Sequence, residues 1–80
     1  MPNLSTSRQN PSLVLLGSEI RRVRQEQCLS QETLALLAEV DRSYLGRVER
    51  GDNNAAVLTL IKIAKALGTT LTALSAGAGL

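Results

Sequence analysis

Histidine, tryptophan and phenylalanine are absent from this 80-residue sequence, which has a single tyrosine and a single cysteine, Cys28. One cysteine excludes an internal disulfide. Without histidine, and with dispersed acids, no group of residues has the spacing of a metal site, and no nucleophile stands beside an obvious base. Cys28 would need such a partner to act as a thiolate, so we interpret it as a small, half-buried residue at a helix end. We therefore expect no enzyme, cofactor or small-molecule ligand.

Long apolar runs and a strong charge excess are also missing. No run approaches the roughly 18 residues of a membrane span, and the polar start, "MPNLSTSRQNPS", lacks the apolar core of a signal peptide. Together with the lone cysteine, this predicts a protein of the reducing cytoplasm. The formal net charge of +2 is only a weak indication of an anionic partner.

What the sequence does contain is apolar residues at spacings of three and four, which predict helices throughout and no strands. Ser12, Ser30, Asp41 and Thr70 are predicted helix caps, and Gly68 a left-handed residue at a helix end. The predicted buried stripes are Leu13, Leu16, Ile20 and Val23; Leu34, Leu37 and Ala38; Leu45 and Val48; Val57, Leu60, Ile61, Ala64 and Leu67; and Leu71 and Leu74. We expect an all-α bundle of five short helices over residues 13–76, with a flexible tail at 1–12 and a frayed end at 77–80.

The stretch "DRSYLGRVER", residues 41–50, predicts a helix with one basic face. Leu45 and Val48 point to the core, whereas Ser43, Gly46, Arg47 and Arg50 point roughly the other way, and Arg42 lies to one side. Such a face can be simply solvated, and the same holds for Arg21, Arg22 and Arg24 in the first helix, although those could also touch phosphates.

A connection as short as Glu39 to Asp41 forces a sharp angle between two short helices, which is typical of a helix-turn-helix. The second helix of that motif fits the major groove of DNA. There an arginine can donate two hydrogen bonds to guanine, and a serine hydroxyl can donate or accept one. Gly46 would let the helix approach the DNA closely, at a cost of about 1 kcal/mol in helix propensity relative to alanine. The basic face therefore favours double-stranded DNA as the partner.

At these residues the sequence resembles the Cro/repressor-type (XRE) helix-turn-helix family, which has the lambda-repressor-like fold. The resemblance rests on "LSQETLALLAEVDRSYLGRVERG" and "LTLIKIAKALGTTLTAL", and it spans roughly residues 13 to 74. Within the family, "DRSYLGRVERG" is most similar to the controller proteins of restriction–modification systems, which are small dimeric autoregulators.

The resemblance implies roles for individual residues. Arg42, Ser43 and Arg47 would contact bases, and Tyr44 would pack against DNA, although it could also be a core-edge residue. Gln31 and Arg50 would contact phosphates, whereas Glu49 and Gly51 would be structural.

Three departures from the family pattern stand out. Cys28 and Glu39 occupy positions where the family usually has glycine, and a positive φ at Glu39 would cost about 1 kcal/mol or more. Asn53 stands where a phosphate-binding arginine is usual, which would weaken binding or its salt dependence.

Extra apolar residues suggest a dimer. Some of Leu58, Ile63, Leu71 and Leu74 must complete the core, and the rest would form an apolar patch. The resemblance places the family's dimer contact on the last helices, so these four residues are the predicted interface. A two-fold dimer would place two recognition helices about one DNA turn apart.

The sequence thus predicts a dimeric, sequence-specific transcription regulator, nucleoid-associated when bound, that blocks or recruits RNA polymerase. The alternative is a protein-interaction module, such as an antitoxin, for which DNA binding is secondary. Neither tail is long or apolar enough to wrap a partner, which favours the regulator.

Overall fold

A computed structural model describes residues 9–80, in which five helices account for all the regular secondary structure. Their bounds are α1 Pro11–Glu26, α2 Gln31–Ala38, α3 Arg42–Arg50, α4 Val57–Ala66 and α5 Leu71–Gly77. The predicted all-α fold is thereby confirmed. Most of the tail predicted at 1–12 lies outside the described residues, and α1 already begins within its span. At the other end, where fraying was predicted, the N–H of Leu80 still donates to the carbonyl of Ser75 (2.9 Å).

Local side-chain chemistry explains where the helices begin. The Ser30 hydroxyl accepts from the N–H of Thr33, and Thr70 caps α5 in the same way, as predicted. The predicted cap at Ser12 is wrong. Asn10 accepts the N–H of Ser12 instead, and Pro11 takes the first helical position, where its missing N–H costs nothing.

The core is a single cluster to which all five helices contribute. α1 packs on α3 and α5, α2 packs on α3 and α4, and α4 packs on α5. The fully buried large side chains are Ile20, Leu34, Leu45, Ile63 and Leu74. α1 and α3 are in backbone contact at Gly17, where a Cβ would lie only 2.3 Å from the carbonyl oxygen of Val48. Any side chain at position 17 would therefore push α3 away from α1.

The buried face of α2 differs from the predicted one. Leu37 was expected inside, yet it is 55% exposed and lines a shallow cavity of about 250 Å³ together with Lys62 and Lys65. Leu34 and Ala38 are buried as predicted, and Ala35 is buried in addition. Small residues occupy this face because α2 is packed between α3 and α4.

The predictions for α4 and α5 also need correction. Ile63 and Leu74, predicted at a dimer interface, are 0% and 2% exposed, so they belong to the core of this chain. Val57, predicted inside, is 61% exposed. Because α4 is apolar on several sides, its spacing fits two stripes, and α2 and α5 cover the one through Leu60 and Ile63. Leu58 stays exposed and Leu71 half-buried.

Within residues 9–80 no single helix is long and apolar enough to cross a membrane; α4 and α5 meet the length and composition criteria only as a pair, across an 89° bend.

Two non-glycine residues at helix ends have left-handed backbone. Cys28 and Glu39 both have φ +59°, where the family resemblance places glycine. Cys28 is exposed, not half-buried as predicted. At Glu39 the conformation reverses the chain at the end of α2, and its N–H donates to the carbonyl of Leu36. The strain predicted for Glu39 therefore applies, since a Cβ disfavours this region.

We predict that Glu39→Gly raises the free energy of unfolding by about 0.5–1 kcal/mol, because relief of strain exceeds the extra entropy of glycine in the unfolded chain. The measurement is urea denaturation followed by circular dichroism. Glu32→Gly is the matched control; Glu32 is exposed within the first turn of α2, so this variant should lose up to about 1 kcal/mol. Equal losses in both variants would contradict the prediction.

Candidate nucleic-acid interface

The outer face of α3 is basic, as the sequence predicts. Leu45 and Val48 are buried, while Arg42, Ser43 and Arg47 are exposed. The connection from Glu39 to Asp41 sets α3 at the end of α2. α3 therefore buries one face against the core and presents its arginines outward.

Tyr44 is a core-edge residue, which is one of the two roles considered for it. Its ring is half-buried and packs against the edge of the core. The guanidinium of Arg47 lies 5.7 Å from the ring centroid on the exposed side. A cation at this distance is attracted by the ring face, which limits the freedom of the Arg47 side chain.

A buried ion pair fixes α3 to α1. Nε and Nη2 of Arg24 donate to the two carboxylate oxygens of Glu49 at 2.7 and 3.0 Å, and Nη1 donates to the Leu29 carbonyl at 2.8 Å. The two side chains are 9% and 2% exposed. The expectation that Arg24 belongs to a solvated face is therefore wrong, whereas the structural role of Glu49 agrees with the resemblance.

Gln31 links this buried pair to the surface. Its Nε2 donates to Oε1 of Glu49 at 3.0 Å, and its Oε1 accepts from Nη1 of Arg42 at 3.3 Å. A carboxylate only accepts, so Glu49 determines which end of the Gln31 amide points inward. The amide oxygen of Gln31 therefore faces Arg42 and accepts from it.

Gly46 is buried beneath two polar side chains. A Cβ at this position would lie 3.4 Å from Nη1 of Arg50 and 3.8 Å from Oε1 of Gln31. These atoms end flexible side chains that extend across the outer face of α3. These are van der Waals distances, so an alanine would fit at position 46, whereas a longer side chain would displace Arg50 and Gln31.

Acidic residues stand at both ends of α3. At its start, Asp41 is in the predicted capping position but makes no side-chain capping bond; its carboxylate accepts from the Ser43 hydroxyl. That hydrogen bond lowers the pKa of Asp41 below its ordinary value. At its end, Nε of Arg50 donates to Oδ2 of Asp52 at 3.1 Å.

Three residues of this arrangement were not predicted from the sequence: Arg24, Asp52 and Gln9. A signal for the first was present, because Glu49 follows Leu45 by four residues and must share its inward face, where a carboxylate needs a cationic partner. Gln9 contacts Asp52 only through tertiary folding, 43 residues apart. Among residues 9–80 no group of three or more acidic, cysteine or histidine side chains could hold a metal ion.

We predict that Arg24→Ala lowers the free energy of unfolding by about 3–5 kcal/mol, because it leaves the Glu49 charge buried and unpaired. Urea denaturation measures the change. Arg21→Ala is the control, since it removes the same charge from an exposed position of α1 and should change stability by no more than about 0.5 kcal/mol. Replacing both partners, as Arg24→Met with Glu49→Leu, should recover part of the loss; a double variant as unstable as Arg24→Ala would contradict this explanation.

Comparison with known proteins agrees with this geometry. The helix-turn-helix family model matches residues 20–74, which include α2, α3 and α4. Control protein C.SmaI of Serratia marcescens is 41% identical over 66 residues, which are 82% of this chain and 79% of that protein. Control protein C.BamHI of Bacillus amyloliquefaciens is 38% identical over 56 residues, or 69% of each chain.

A solved structure shows the same likeness in three dimensions. The crystal structure of the restriction-modification controller protein C.AhdI from Aeromonas hydrophila superposes with a TM-score of 0.78 at 44% identity, covering 80% of this chain and 97% of that one. The relatives are regulators, which confirms the expectation that this chain is not an enzyme. The chain therefore belongs to the helix-turn-helix family of DNA-binding transcription regulators, in which it is similar to the controller proteins of restriction–modification systems.

Proposed function

We propose that the chain acts as a homodimer that reads a palindromic operator through Arg42, Ser43 and Arg47, and that it controls a restriction–modification operon. The observation that carries the proposal is the exposed basic face of α3, held against α1 and α2 by the buried pair of Arg24 and Glu49. A recognition helix must be held rigidly if its side chains are to meet base edges in register.

Each residue of the face has a proposed part. Arg47 and Arg42 donate to guanine O6 and N7, and Ser43 bonds to a neighbouring base or phosphate. Gln31 and Arg50, whose side chains lie next to each other over Gly46, contact the phosphate backbone, and Tyr44 packs along it. A bound dimer would block or recruit RNA polymerase according to where the operator lies relative to a promoter.

The homodimer is proposed on the exposed apolar surface of α4 and α5. Leu58 is 75% exposed, Val57 is 61% exposed, and Leu71 is half-buried on the next helix. Burying such a surface against a second copy would remove apolar area from water. It would also set two recognition helices about 34 Å apart, one turn of DNA.

Selection of bound duplexes from a random library, at physiological salt, tests the proposed reading of DNA. A palindrome with half-sites about 10 base pairs apart, or a multiple of that spacing, is expected. Equal binding to every duplex would overturn sequence-specific reading.

On the selected duplex, we predict that Arg47→Ala weakens binding about 10- to 100-fold, because a bidentate arginine–guanine contact is lost in each subunit. Fluorescence anisotropy at fixed salt measures the effect. The control is Arg21→Ala, which removes the same charge from an exposed position of α1. An equal loss in the control would mean that Arg47 contributes only general charge.

We predict that Leu58→Glu shifts the chain from dimer to monomer in sedimentation velocity, since a buried carboxylate in the interface would lack a partner. Leu36→Glu is the matched control, because Leu36 is 78% exposed on α2, outside the proposed interface. A dimer that survives Leu58→Glu would place the interface elsewhere.

A further inference from the structure

The phosphate-contacting end of the DNA face carries its own counter-anion. Nε of Arg50 donates to Oδ2 of Asp52 at 3.1 Å, and the two side chains are 60% and 20% exposed. The arginine is therefore accessible, while the carboxylate that pairs with it is mostly enclosed. An ordinary surface pair has two mobile partners, whereas here one partner is held in place.

Gln9, just before α1, holds Asp52. The backbone N–H of Gln9 donates to the carbonyl of Gly51 at 2.8 Å. Its side-chain Nε2 donates to the carbonyl of Arg50 at 3.3 Å and also to Oδ1 of Asp52. The position of the carboxylate is thus set by the start of α1 as well as by the end of α3. Oδ2 accepts from Nε of Arg50.

The paired guanidinium lies on the face proposed to meet DNA. Its Nη1 is 3.4 Å from the site of a Cβ on Gly46, beside the amide of Gln31. A phosphate that reaches this part of α3 would seek the same guanidinium, whose Nε already donates to Asp52. Because the carboxylate offsets part of the charge of Arg50, a phosphate meeting this arginine would gain less Coulomb attraction and displace fewer counterions than one meeting an arginine without an acidic neighbour.

We propose that Asp52 is an intramolecular competitor of DNA phosphate for Arg50, and that it lowers both the affinity for DNA and its salt dependence. This inference rests on the proposed function, since it assumes that α3 meets DNA. The carboxylate does not contact DNA itself; it acts through Arg50 and sets how much of that residue's charge is available to the phosphate backbone.

Asp52→Asn tests the proposal. The amide retains an oxygen that can accept from Gln9, so the fold should persist, and circular dichroism with urea denaturation checks it. We expect binding to the selected duplex to tighten roughly 3- to 10-fold, and the slope of log K against log salt to steepen by about 0.9 per subunit. Asp52→Ser, which also lacks the charge, should change binding in the same direction.

The matched control is Glu26→Gln. Glu26 is an exposed acid that pairs with Arg22 at the same 3.1 Å, on α1, so its removal changes the net charge equally. The decisive background is Arg50→Ala, in which Asp52→Asn should have no more effect than Glu26→Gln. Tightening that equals the control, or that persists without Arg50, would overturn the proposal. If the unmodified chain selects no sequence and binds no duplex, the proposed function fails instead.

Discussion

The orientation of the recognition helix depends on two charges buried between α1 and α3. Glu49 accepts hydrogen bonds from Nε and Nη2 of Arg24. Nη1 of Arg24 donates to the Leu29 carbonyl, in the connection between α1 and α2. A buried charge without such partners would cost several kcal/mol, so the geometry permits little rotation of α3. Gln31 adds α2 to the same cluster. One guanidinium therefore brings three helices into register, and the exposed face follows from that register.

Close packing and a strained turn complete the placement of α3. Gly17 lets the backbones of α1 and α3 touch, and Ala35 and Ala38 let α2 lie near its neighbours. Glu39 accepts a left-handed backbone because the chain must reverse between Ala38 and Arg42. The strain at a single residue is small beside the apolar burial that the reversal permits.

The three arginines of α3 differ in their surroundings, which only the tertiary structure shows. Arg47 lies over the ring of Tyr44, Arg42 donates to the side-chain amide oxygen of Gln31, and Arg50 is paired with Asp52. Each of these contacts restrains a long side chain before any ligand arrives, which reduces the entropy lost on binding. The contact with Asp52 also offsets the charge of Arg50. It therefore lowers the affinity for DNA, whereas the other two contacts raise it.

The sequence alone determined the five helices, the short turn between α2 and α3, and the division of α3 into an apolar and a basic face. These features follow from local spacing and capping, because Leu45 and Val48 must share a face whatever the helix packs against. The tertiary structure decided which side of α4 is buried, why Leu37 is outside, and which partner neutralises Glu49. Apolar spacing on α4 fits two stripes, and Arg24 reaches Glu49 across 25 positions of the chain. Such choices depend on where other helices lie, which no single helix encodes.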